Sequence, residues 1–209
     1  MKVNRNLLMV AAVKVKNMRL HKWMWSVMGV AYETHVKFKE LAMKTDENGR
    51  TMLQLAVMHN KLEIIQWIWK KLDKEVFNIK ELRNFFTKID LTGKNILHLA
   101  AEHCKDPKIH DWLWEMASQK FGKETLKELT DRVDKDERNF FHLAAIFNSN
   151  AVFTELYTLA KKHLGAVDMR KLLRKKELVY DENVFDVAKQ HAKDSNIHQW
   201  LKTKRHKYF

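Results

Sequence analysis

Apolar residues along the chain gather in short clusters that recur at a near-constant distance. Asn6-Leu-Leu-Met-Val-Ala-Ala12, Thr51-Met-Leu-Gln-Leu-Ala-Val57, Asn95-Ile-Leu-His-Leu-Ala-Ala101 and Asn139-Phe-Phe-His-Leu-Ala-Ala145 are copies of one pattern, and Asn183-Val-Phe-Asp-Val-Ala-Lys189 is a degenerate fifth. The apolar residue before the shared Ala marks the register at Val10, Leu55, Leu99, Leu143 and Val187, with spacings of 45, 44, 44 and 44 residues. A second cluster follows each mark: Leu20-His-Lys-Trp23-Met-Trp25, Ile64-Ile-Gln-Trp67-Ile-Trp69, Ile109-His-Asp-Trp112-Leu-Trp114, Phe153-Thr-Glu-Leu156-Tyr-Thr and Ile197-His-Gln-Trp200-Leu. Apolar residues at i, i+3 and i+4 lie on one side of a helix, so each cluster predicts a helix with one buried face. All seven Trp belong to the second cluster and are expected in the core. A third signal precedes the next copy: Phe38/Leu41, Leu82/Phe85, Leu126/Leu129, and Leu172 with Leu173. It predicts a short additional helix. One period therefore reads helix, helix, short helix, turn.

Fixed-period self-similarity is the signature of a repeat architecture, in which no unit buries its apolar faces alone. The turn and helix start Asp90-Leu-Thr-Gly93-Lys-Asn-Ile-Leu-His98-Leu-Ala-Ala101 resembles the opening of an ankyrin repeat, and Asp46-Glu-Asn-Gly49-Arg-Thr-Met-Leu-Gln-Leu-Ala56 resembles it again. The period is about eleven residues longer than the ordinary thirty-three. The usual Thr-Pro pair is replaced by Asn or Thr plus an apolar residue, and the glycine after the first helix is missing. The expected fold is all-α: an ankyrin-like solenoid of about five repeats at 1–44, 45–89, 90–133, 134–177 and 178–209, forming one domain. The first repeat lacks its turn. The last carries Asp186 and Lys189 where the middle repeats have His and Ala, as a solvent-facing cap would.

Composition narrows the classes. One Pro and five Gly suit a helical chain. The single Cys104 excludes a disulfide scaffold and suits a reducing compartment, so a cytoplasmic or nuclear location is expected. No unbroken apolar run approaches membrane-spanning length. Met1-Lys2…Arg5 ahead of Leu7–Val13 has a weak likeness to a secretory leader, but Lys14 and Lys16 stand where cleavage would occur. The net charge of +13 is uneven, since residues 1–44 carry nine basic and two acidic residues. A nucleic-acid binder needs a continuous basic stripe with exposed aromatics, and here the middle repeats are near neutral. The basic run Lys202–Lys207 reads as a solvated tail.

No phosphate-binding Gly loop and no nucleophile elbow is present, so no enzyme and no cofactor are expected. His98, His103, Cys104 and His110 have metal-binding chemistry but no zinc spacing, and no metal is expected. The resemblance implies that His98 and His142 bond the backbone of the neighbouring turn, a task that the amide of Gln54 can share. It also implies a concave face built from turn tips and the outer ends of the first helices. By register that face holds Lys14, Met58, His59, Glu102, His103, Ile146, Phe147, Gln190 and His191, with Arg50, Lys94 and Arg138 at the tips. Met58, Ile146 and Phe147 are apolar where solvent is expected, which reads as a protein-binding groove with a basic rim. The implied function is a monomeric, non-enzymatic module that binds another protein, one with an acidic surface. Two alternatives stand beside it. One is binding of nucleic acid or anionic lipid through Lys14, Lys16, Arg19 and Lys22. The other is a structural segment of a larger scaffold or channel.

Overall fold

The computed structural model describes residues 6–31, 35–59 and 61–205, and every regular element among them is helical. The elements follow the three-cluster period. α1 (Leu7–Lys14), α2 (Met18–Ala31) and α3 (His35–Met43) form the first set. α4 (Met52–His59) and α5 (Leu62–Lys71) follow, with a π-helical turn Leu72–Val76 before α6 (Ile79–Phe86). Next come α7 (Ile96–His103), α8 (Pro107–Phe121) and α9 (Lys123–Asp131), then α10 (Phe140–Phe147), α11 (Asn150–His163) and α12 (Ala166–Arg174). α13 (Val184–Gln190) and α14 (Asn196–Lys202) end the series.

The chain divides into two compact units, Met1–Thr92 and Gly93–Phe209. In the first, α1 packs on α4, α4 on α5, and α3 against the π turn. In the second, α7 packs on α10 and α10 on α13, while α8 packs on α11 and α11 on α14. The additional helices are present as expected, and Phe38, Leu41, Leu82, Phe85, Leu126, Leu129, Leu172 and Leu173 are all buried.

The expectation that every Trp lies in the core is corrected. Of each Trp pair only the second member is buried: Trp25, Trp69 and Trp114 lie inside, whereas Trp67 and Trp112 are half-buried and Trp23 is 61% exposed. Residues two apart on a helix point about 200° apart, so one core cannot take both. Val10 is also exposed, although the other register marks Leu55, Leu99, Leu143 and Val187 are buried.

A separate tie, which the sequence reading did not include, joins each first helix to the segment of the additional helix that follows it, and it is made by a side-chain amide. Asn95 caps α7, accepting from the Leu97 and His98 N–H groups, and its Nδ2 donates to the Leu129 carbonyl at 2.7 Å. Asn139 caps α10 in the same way and donates to the Leu172 carbonyl at 2.8 Å. Asn6 reaches the Leu41 carbonyl at 2.8 Å. In the second repeat the cap is Thr51, which has no amide, and Gln54 takes over: its Oε1 accepts from the Thr51 N–H and its Nε2 donates to the Lys88 carbonyl, both at 2.8 Å. The replacement of Thr-Pro by Asn thus adds an amide N–H donor separate from the oxygen that caps the helix, where Thr has a single hydroxyl for both tasks. His98 lies fully buried with Nδ1 2.7 Å from the Asn95 Oδ1. His142 accepts from the Asn139 N–H at 3.2 Å, and the backbone of Lys175 and Glu182 faces its ring.

The turns are built around a buried acid. Asp46 Oδ1 accepts from the Asn48 and Arg50 N–H groups, and Asp134 Oδ1 from those of Asp136 and Arg138, all at 2.9 Å. The last turn is one residue longer and uses Glu177, whose extra methylene lets it reach the Val179 and Tyr180 N–H groups at 2.9 and 2.7 Å. Successive turns are joined by backbone bonds, Leu91 N–H to the Asn48 carbonyl at 2.8 Å and Leu178 N–H to the Asp136 carbonyl at 2.7 Å. One position in each turn is left-handed: Gly49, Gly93, Glu137 and Asp181, with φ of 77, 82, 58 and 56°. A Cβ at Gly93 would also lie 3.3 Å from the Asp134 backbone. Gly93→Ala is therefore expected to destabilise the protein by about 1–2 kcal/mol or more, read as a lower midpoint of urea unfolding.

Candidate functional site

Two of the turn tips, Arg50 and Lys94, reach the residue eight positions on, at the outer end of the following helix. In the first unit the Arg50 guanidinium lies 3.3 Å from Asp46 Oδ2 and 3.6 Å from the sulfur of Met58. Met58 is half-buried beneath it. His59 and Lys14 are exposed, and the His59 carbonyl accepts from Lys16 Nζ. In the second unit Lys94 pairs with Glu102 at 2.6 Å, and His103 Nε2 stands 3.8 Å from the same carboxylate. Arg138 pairs with Asp136 at 3.1 Å and Glu177 at 3.6 Å. All three tip cations thus have an acid of their own unit beside them and fasten the turns. Of the other residues of the expected face, Lys14, His59, His103, Phe147, Gln190 and His191 are exposed, and Met58 and Ile146 are half-buried.

The second unit gathers part of the expected set. Arg138, Ile146 and His191 line a cavity of about 140 Å3, together with Glu177, Tyr180 and Val187. Burial alone would push the Glu177 carboxyl up, but the N–H groups of Tyr180, Val179 and Glu182, with Arg138, hold it below the ordinary glutamate value. His191 stacks on Tyr180, with ring centroids 5.1 Å apart and planes 23° apart, and its Nε2 is 3.2 Å from Glu182 Oε2. Phe147 is exposed beyond the cavity, and its carbonyl accepts from Lys105 Nζ at 2.7 Å. Gln190 is exposed and does not line the cavity.

Sequence reasoning missed the most exposed apolar element here. Leu178, Val179 and Tyr180 form the tip of the last turn, at 65, 51 and 62% exposure. The signal was present: the other turns carry Glu47-Asn-Gly49, Leu91-Thr-Gly93 and Lys135-Asp-Glu137, whereas this one carries three consecutive apolar residues.

His98, His103, Cys104 and His110 do not assemble as a ligand set, and no group of three or more such side chains able to hold a metal occurs among the described residues. His110 instead lies with Nε2 3.4 Å from the Cys104 carbonyl, and burial pushes its pKa down to about 4. The Cys104 thiol is pushed up to about 12, by burial first and then by Asp106, so it is held protonated. Lys14, Lys16, Arg19 and Lys22 are exposed. Burial lowers the Lys16 amine somewhat. No helix among the described residues is long and apolar enough to cross a membrane.

No curated protein matches the chain significantly. A family model described as Ankyrin repeat matches residues 48–76. The matched stretch begins in the Asn48–Arg50 turn, takes in α4 and α5, and ends at the last residue of the π turn, so the additional helix α6 lies outside it. Over these residues the all-helical chain has the character of an ankyrin repeat.

Proposed function

We propose that the chain is a non-catalytic protein-interaction module of ankyrin type, with repeats lengthened to about 44 residues by the additional helix. The observation that carries this reading is the apolar tip Leu178-Val179-Tyr180 beside the cavity lined by Ile146, Tyr180 and His191. Exposed aromatic and aliphatic side chains next to a concavity favour a partner side chain as an anchor. Tyr180 supplies rigid contact area with a hydroxyl for hydrogen bonding, and Phe147 extends the apolar surface. Because Arg50, Lys94 and Arg138 are already paired, apolar burial rather than charge drives association in this reading.

The test is capture of partners by the full chain at about 0.1 and 0.4 M salt, with Tyr180→Ser combined with Ile146→Asp as the variant. Apolar anchoring predicts a partner retained at both salt concentrations and lost in the double variant, with the fold intact by circular dichroism. Undiminished capture by the variant overturns the assignment. Capture that vanishes at the higher salt favours the electrostatic alternative at Lys14, Lys16, Arg19 and Lys22.

A further inference from the structure

A groove of about 300 Å3 in the first unit is lined by Lys22, Trp67, Lys70, Lys71, Lys74 and Glu75. Its cations come from two places: Lys22 from α2, the others from the end of α5 and the π turn. The lining carboxylate is already committed. Glu75 Oε1 accepts from Lys71 at 2.5 Å, and its Oε2 accepts from the Trp25 indole N–H at 3.1 Å. Lys22, Lys70 and Lys74 have no acidic partner among the described residues. Lys70 and Lys74 line the same groove, where their like charges repel. The ammonium of Lys71 lies 6.0 Å from the centre of the Trp67 ring, which is half-buried in the groove wall.

The backbone is unusual at the same place. Among the described residues α8 and α11 carry no π-helical segment, whereas α5 runs into one at Leu72–Val76. Leu72 and Val76 are buried and anchor that turn, while Lys74 and Glu75 are turned outward. Such π segments concentrate at functional sites because they re-aim side chains that a regular helix would place elsewhere.

We infer that this groove binds a small polyanion carrying clustered phosphate groups, held by Lys22, Lys70 and Lys74 beside Trp67. Lysine ammonium groups are compact point charges with three donors each, suited to several phosphate oxygens without fixed geometry. A ligand with more than one phosphate relieves the repulsion among the lysines and fills more of the groove than one phosphate would. The same chemistry is offered by a soluble polyphosphate and by a polyphosphorylated lipid headgroup.

The experiment titrates the full chain with inorganic tripolyphosphate by calorimetry, and with phosphatidylcholine vesicles containing phosphatidylinositol 4,5-bisphosphate by co-sedimentation. Vesicles of matched charge made with phosphatidylserine serve as control. The site variant is Lys70→Gln with Lys74→Gln, and Lys135→Gln with Lys189→Gln removes the same charge elsewhere. Binding of either phosphate probe that falls about tenfold or more in the site variant, and less than about twofold in the other, supports the site. Vesicle binding without tripolyphosphate binding assigns it to a membrane headgroup, and the reverse to a soluble ligand. The inference is overturned if neither probe binds, if both variants weaken binding equally, or if phosphatidylserine vesicles bind as tightly. Tighter binding of a single-stranded RNA of about 20 nucleotides, undiminished in the site variant, also overturns it.

Discussion

Asn139→Ala is expected to destabilise the protein by about 3 kcal/mol, more than any surface substitution. The estimate joins two losses. Removing the cap costs about 1 kcal/mol, since the Phe141 and His142 N–H groups lose their acceptor. The buried Leu172 carbonyl also loses its donor, which costs about 1–3 kcal/mol. Asn139→Asp separates the two. Aspartate is as good a cap as asparagine, but it would aim a carboxylate oxygen at the Leu172 carbonyl instead of an N–H. It should therefore be at least as damaging as Ala, read from urea midpoints. An Asp variant as stable as the parent would show that the amide bridge contributes nothing. The same pair of substitutions at Asn183, which caps α13 and has no such bridge among its hydrogen bonds, should show the cap loss alone, with Asp tolerated.

The second large effect is a loss of stability in mild acid. Burial holds His110 and His142 neutral, with pKa values pushed down to about 4. In the unfolded chain both titrate near 6.5. Between these values the unfolded chain binds protons that the folded chain refuses, so stability falls as pH drops from about 7 toward about 4. A pKa difference of that size corresponds to roughly 3 kcal/mol for each histidine at the acid end. Thermal midpoints at about pH 7.5, 6 and 5 should decline in that order, with part of the loss coming before the carboxylates titrate. Gln54 occupies the position equivalent to His98 and His142, so His142→Gln is the replacement the repeat itself offers. That variant should be less sensitive over the same range. A midpoint independent of pH above about 5 would mean that neither imidazole is held neutral by the fold.

Much of the helical plan was legible in the residues. The i, i+3, i+4 clusters placed the first and second helices, and pairs such as Leu126/Leu129 placed the additional ones, because helix burial imposes its period directly on the sequence. The turns were legible from Asp46-Glu-Asn-Gly49 and Asp90-Leu-Thr-Gly93, where glycine takes the left-handed position at no steric cost. The last turn was not, because Glu177 replaces the usual Asp and Asp181 replaces the Gly. With neither signal present, the exposed Leu178-Val179-Tyr180 tip was not singled out.

The sequence by itself determined the helical period and the 44-residue spacing, since these follow from local geometry alone. Only the tertiary structure decided the partners. It selected Trp114 over Trp112 for the core, made Asn139 the bridge to Leu172, and paired Arg138 with Glu177. It also brought Lys22 of one helix beside Lys70 and Lys74 of another. Each of these choices joins or compares groups according to how helices rotate about their axes and where they lie against one another. That arrangement is set by packing of the whole face and leaves no mark on any single residue.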